Sequence, residues 1–169
     1  FLDHRLGGAL RRHHQLGDYP RDVGEALYVD QGIRNRPCGG IVIGLGPFGE
    51  LTRSRLARAI RSAAVRRVLH AADSGVTGNV GVSAVLISTP GQYGLSVASA
   101  VAAILEGAAE ALLDIDRNEA IDVRLEEIQI IELYEVRATE ALAHLQLARD
   151  RLPVELQNAI DVHVDDQLR

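Results

Sequence analysis

Apolar residues along this chain follow two rhythms. Short consecutive runs, "GIVIGLG" from Gly40 and "VSAVLIST" from Val82, predict strands covered on both faces. Elsewhere apolar positions recur at helical spacing. Leu56, Ile60, Ala63, Ala64 and Val68 in "LTRSRLARAIRSAAVRRVLHAAD" predict an amphipathic helix with Thr52 as its N-cap. "SVASAVAAILEGAAEALLD" predicts a second helix, rich in small residues. "EVRATEALAHLQLARDRL" predicts a third, with Val136, Leu142 and Leu145 towards the core. Between the last two, "RLEEIQIIELY" holds a strand from Glu127 to Tyr134.

The flanks are weaker in pattern. Phe1 to Gly17 reads as a short helix with Leu2, Leu6, Leu10 and Leu16 on or near one face, and residues 1–24 form a helical extension. Gly17-Asp18-Tyr19-Pro20 ends that helix as a turn. Glu25 to Asp30 is a strand candidate, Gln31 to Gly40 a loop, and Ser74 to Gly81 a turn-rich linker. The C-terminal segment 153–169 begins as a helix and continues as a strand candidate through "IDVHV". Strands alternating with helices give an α/β class. The expected architecture is one three-layer α/β/α domain over residues 1–169 with a central mixed sheet.

Composition narrows the setting. An apolar fraction of 47% and a charged fraction of 24% are ordinary for a soluble globule. No apolar stretch reaches the roughly 18 residues a membrane span needs, so no membrane role is expected. A net charge of −5 disfavours nucleic acid as a partner. The single Cys38 excludes an internal disulfide and fits a cytoplasmic location. Met is absent and all 18 basic residues are Arg, which points to an Arg-biased bacterial coding sequence and to a fragment of a longer protein.

Two glycine-rich corners carry the candidate chemistry. The first, "GLGPFGEL", spells Gly44-x-Gly46-x-x-Gly49 after a strand, the spacing of a dinucleotide fingerprint. That reading needs a helix starting inside the motif and an acid ending the next strand. Thr52 as cap places the helix after the motif, although Pro47 would permit an earlier start. The next strand ends in Ser88-Thr89, without a carboxylate. Sharp turning at a sheet edge explains the glycines better.

The second corner, "ISTPGQYGLS", also leaves a strand and enters a helix. Backbone N–H groups around Gly91, Tyr93 and Gly94, with the hydroxyls of Ser88, Thr89 and Ser96, would suit an anion at the helix start. A tight turn capped by Ser96 is the plainer alternative. If both corners open on one crevice, its ligand is a nucleotide-like anion.

"STPGQYG" followed by a small-residue helix resembles the phosphate-loop region of macro domains, which bind ADP-ribose. "GGIVIGLGPFGELTRSRLARAIRSAA" is similar to a stretch of the N-terminal, macro-like domain of leucyl aminopeptidases. Together with "IQIIELYEVRATEALAHL" these segments resemble a module of large bacterial proteins that carry CHAT (caspase-like) peptidase domains and are linked to conflict or defence. The resemblance spans Gly40 to Leu147. It implies a macro-like fold and an ADP-ribose-like ligand. The Asn-rich loop of macro domains that hydrolyse ADP-ribose esters is absent. The metal and catalytic residues of leucyl aminopeptidases belong to a C-terminal domain that this chain lacks.

No catalytic or metal constellation emerges from the residues themselves. His13-His14 have no further ligand at a recognised spacing, and Cys38 and the serines sit in no nucleophile motif. Arg53, Arg55, Arg58, Arg61, Arg66 and Arg67 spread over the outer side of the first long helix, a solvated face that would also suit an acidic partner. Glu126, Glu127, Glu132 and Glu135 would match it electrostatically. The expected function is a non-catalytic binding or interaction module of a multidomain bacterial protein. Its partners would be other domains of the parent or another protein, homo-oligomers included. A nucleotide sensor is the alternative, and a dinucleotide-dependent oxidoreductase a weaker one.

Overall fold

The computed structural model describes residues 2–31, 39–47, 49–88 and 94–163. They fall into two compact units, Phe1–Phe48 and Gly49–Arg169.

The first unit opens with two short helices, α1 (Leu2–Arg5) and α2 (Ala9–Gln15). One helix is expected here; Gly7 and Gly8 break it by adopting φ of 62° and 74°, a left-handed conformation open to glycine at little cost. Two strands follow, β1 (Ala26–Asp30) and β2 (Gly39–Ile43), paired antiparallel from Ala26↔Ile43 to Asp30↔Gly39. Leu6, Ala9 and Val29 form a small core, with Leu10 and Leu27 packed against it. Leu16 stays outside, 82% exposed.

The second unit holds the main core. Helix α3 (Arg53–Asp73) starts at Thr52, whose Oγ1 accepts the Arg55 N–H at 3.3 Å, as the sequence predicts. Leu56, Ile60, Ala63, Ala64 and Val68 are all buried, again as predicted. Helix α4 (Val97–Asp116) packs against it, and the small residues explain how closely. A Cβ at Gly107 would lie 2.3 Å from the Ala57 carbonyl oxygen, so only glycine lets the two backbones approach there. Two inter-helix ion pairs flank this contact, Arg53–Glu106 at 2.8 Å and Arg61–Asp114 at 2.6 Å.

Beneath these helices strands β3 (Gly78–Val85) and β4 (Val123–Ile131) pair in parallel. Both begin four residues before the positions read from the sequence, Val82 and Glu127. Gly78, Asn79 and Gly81 favour turns locally, but burying Val80, Val123 and Leu125 against Val68, Ala111 and Ile115 outweighs that preference. A register shift between Val80 and Gly81 leaves Glu126 as an extra residue on β4. The bulge reverses the alternation, so Leu125 before it and Ile128 after it both turn towards the helices.

The other face of this sheet carries Ser83, Val85, Arg124, Glu127, Gln129 and Ile131, all exposed. The α/β class is therefore observed. Among the described residues, however, the strands form two two-stranded sheets, one antiparallel and one parallel, where a single mixed sheet was expected. Among the described residues of this unit, helices cover one face of the β3–β4 pair, and alternation along both strands leaves the other face polar over most of its length.

Helix α5 (Glu135–Asp150) packs on α4 through Ala141 and Ala148, and α6 (Val154–Ala159) completes the helical side. Val136 and Leu142, predicted as core, are 80% and 39% exposed. The alanines win the interface because only short side chains permit close approach to the small-residue surface of α4. Residues 160–163 do not form the strand expected through "IDVHV"; Val164 lies outside the described residues. No helix among the described residues is long and apolar enough to cross a membrane.

Candidate functional site

The first glycine corner is built against the turn that precedes β1. Gly44 is buried, and a Cβ on it would stand 2.2 Å from the Asp22 carbonyl oxygen. Its N–H donates to the Glu25 carbonyl at 3.0 Å, and the Gly46 N–H to the Arg21 carbonyl at 2.9 Å. Gly46 and Gly49 take φ of 79° and 86°. Two of the three glycines thus use their N–H groups inside the unit. Close approach and left-handed turning account for the residue type without a ligand.

Glu25 belongs to the same turn. Its Oε2 accepts the Arg21 N–H at 2.7 Å and the Asp22 N–H at 3.0 Å. The Arg21 bond, then the Asp22 bond, holds the carboxyl below its usual pKa; desolvation opposes the shift and the Arg21 charge adds to it. α3 begins after Gly49, at Arg53, and β2 pairs antiparallel rather than entering a parallel strand–helix–strand unit. Neither matches the dinucleotide arrangement.

Of the second corner, Ser88, Gly94 and Ser96 are described; Thr89, Gly91 and Tyr93 lie outside the described residues, as does Cys38. Ser96 caps α4: its Oγ accepts the Ser99 N–H at 3.2 Å and its hydroxyl donates to Ser99 Oγ at 3.0 Å. Gly44 and Gly46 belong to the first unit, and Ser88, Gly94 and Ser96 to the second.

What the sequence reading missed at this corner is Arg137. It sits in the first turn of α5, and its Nη2 donates to Ser88 Oγ, to the Ser88 carbonyl at 3.4 Å and to the Leu86 carbonyl at 3.5 Å. Its Nε lies 3.2 Å from Glu132 Oε2, an ion pair without an aligned hydrogen bond. The Glu132 side chain is only 8% exposed, and its Oε1 accepts the N–H groups of Leu133 and Tyr134 at 2.7 and 3.0 Å. The Tyr134 ring lies 6.0 Å from the guanidinium carbon. This group ties the segment after β3 to the start of α5, at the C-terminal edge of the parallel sheet where α/β proteins place ligands. No local sequence pattern joins Ser88 to Arg137, because the pairing depends on tertiary structure.

Beside it lies an apolar surface. Val85 and Ile131, register partners at the end of the sheet, are 63% and 40% exposed. Leu133, Tyr134 and Val136 continue it at 84%, 66% and 80%. Ala143 and Leu147 extend the exposed side of α5 about two and three turns beyond Val136. Glu126, Glu127, Glu135 and Glu140 are exposed around it, and none of the four forms an ion pair among the described residues. The exposed Arg58 and Arg66 of α3 likewise have no acidic partner among the described residues, whereas Arg53, Arg55 and Arg61 pair with Glu106, Glu50 and Asp114.

His13 and His14 have local partners. His13 Nδ1 lies 2.9 Å from Asp18 Oδ2, and His14 meets the edge of Tyr19. Among the described residues no group of three His, Cys, Asp or Glu side chains is placed to hold a metal ion. Comparison with family models, with curated proteins and with solved structures finds no match to this chain.

Proposed function

We propose that this chain is a non-catalytic, macro-like interaction module of a larger multidomain bacterial protein, working in the cytoplasm beside a peptidase or other effector domain. The observation that carries the reading is the run of large apolar residues, Ile131, Leu133, Tyr134 and Val136, left in solvent where β4 passes into α5. Exposed apolar residues are ordinary singly, but a contiguous group rimmed by charge marks an interaction surface. Amide exchange of the chain alone and within its parent tests it. Residues 131–136 should slow inside the parent, and unchanged exchange there would count against docking.

A second reading rests on Arg137. A guanidinium beside Ser88 at the C-terminal edge of a parallel sheet suits an anion, such as the phosphates of an ADP-ribose-like nucleotide. ADP-ribose should then raise the melting temperature, and Ser88→Asp should remove that shift by engaging Arg137 and repelling phosphate. A melting temperature unmoved by saturating nucleotide sinks this reading.

A further inference from the structure

Resting on the interaction reading, we infer that the partner of this surface is a second copy of the same chain, docked head to tail through its α3. Two charge sets cannot meet within one second unit. Arg58 and Arg66 lie on the outer side of α3 with Leu69, which is 43% exposed. The opposite side of α3 buries Ala64, Val68 and Ala71 against the sheet. Glu127, Val85 and Ile131 lie on the sheet face turned away from that core, and Glu135 follows at the start of α5. Helix and sheet thus separate the cations from the acids.

Complementarity extends to the apolar part. The acidic surface has Ile131, Leu133, Tyr134 and Val136 at its centre, and the basic surface has Leu69 between its arginines and the helix end. Desolvating the aliphatic and aromatic groups supplies affinity, while the charges fix the partner and the register. Arg53 and Arg61 do not contribute, being held by α4. Because each copy offers one patch of each kind, the contact is heterologous. It leaves a free patch at either end, so growth is open-ended unless the rotation closes a ring.

Sedimentation equilibrium of the 169-residue chain tests this. The weight-average mass should climb past that of a dimer as concentration rises, and fall back as salt is raised. Arg58→Glu/Arg66→Glu and Glu127→Arg/Glu135→Arg should each weaken association at least about tenfold. Mixed in equal amounts, the two variants should associate again, since every acid then faces a base. Leu69→Glu should weaken association without help from any charge swap. Circular dichroism of each variant checks that it is folded. A mass that stops at the dimer, variants that associate like the parent sequence, or a mixture that stays monomeric would each overturn the head-to-tail docking through α3. A monomer whose residues 131–136 are protected inside the parent leaves the interaction reading standing and removes only this partner. A monomer without that protection removes both.

Discussion

Helices α4 and α5 are of similar length and touch one another, yet they dispose of their apolar residues in opposite ways. α4 buries Val97, Val101, Ile104, Leu105 and Ile115 together with its alanines and Gly107. α5 buries only Ala141 and Ala148 and leaves Val136 and Leu147 in water. Burying a Val or Leu side chain is worth roughly 1.5–3 kcal/mol, so a helix that forgoes it gains nothing for the fold. Apolar content alone therefore does not mark a core helix. α4 is held by its surroundings on most sides, whereas α5 is anchored along one narrow line and offers the rest outward.

The largest effects belong to the core that α3 and α4 share. Leu56, fully buried where α3 faces the core, should cost about 2–5 kcal/mol as Leu56→Ala, read as a fall in melting temperature. Gly107→Val should cost about 1–3 kcal/mol despite better side-chain packing potential, because its Cβ would enter the Ala57 carbonyl. If it unfolds no sooner than the parent sequence, the helices are not in backbone contact there.

At the α5 side the anchor is Arg137. Arg137→Gln should cost about 2 kcal/mol in urea unfolding. That is less than the 3–5 kcal/mol for a fully buried pair, since Glu132 keeps its two N–H donors. The Arg137 side chain is also 30% exposed. A neutral result would mean that Arg137 does not organise the start of α5.

The smallest effect concerns Glu25, outside both helices. Its folded-state pKa is lowered, so its contribution is complete above the unfolded carboxyl value of about 4.3 and fades as pH falls through the folded value below that. Amide exchange at Arg21 and Asp22 should be slow at neutral pH, quicken in acid relative to the intrinsic rate, and be fast at all pH in Glu25→Ala, which has no acceptor. Exchange insensitive to that substitution would contradict the turn geometry.

Legibility in the sequence followed the same division. α3 was readable throughout, from the Thr52 cap to Val68, because one amphipathic face meets one core. β4 was misplaced because its alternation changes phase at Glu126. "VRLEE" looks charged and "IQII" looks apolar, and only a bulge lets Val123, Leu125, Ile128 and Ile130 serve one face. Val-Arg-Leu-Glu at period two was nevertheless a strand signal. The first glycine corner was legible as a turn, but its contacts with Arg21 and Asp22 come from chain reversal that no local pattern encodes. In α5, Leu142 and Leu145 stand at helical spacing but Val136 does not share their face, whereas Ala141 and Ala148, seven residues apart, lie on the one line that is buried.

The apolar residues joining β4 to α5 face outward, and docking is the role proposed for them. Thermal unfolding of Leu133→Ser/Val136→Ser at a concentration where the chain is monomeric addresses it most directly. Stability should change by no more than about 0.5 kcal/mol, as for surface substitutions, and association at higher concentration should be lost. A loss of several kcal/mol, as expected for Leu56→Ala, would place these side chains in the core and contradict it.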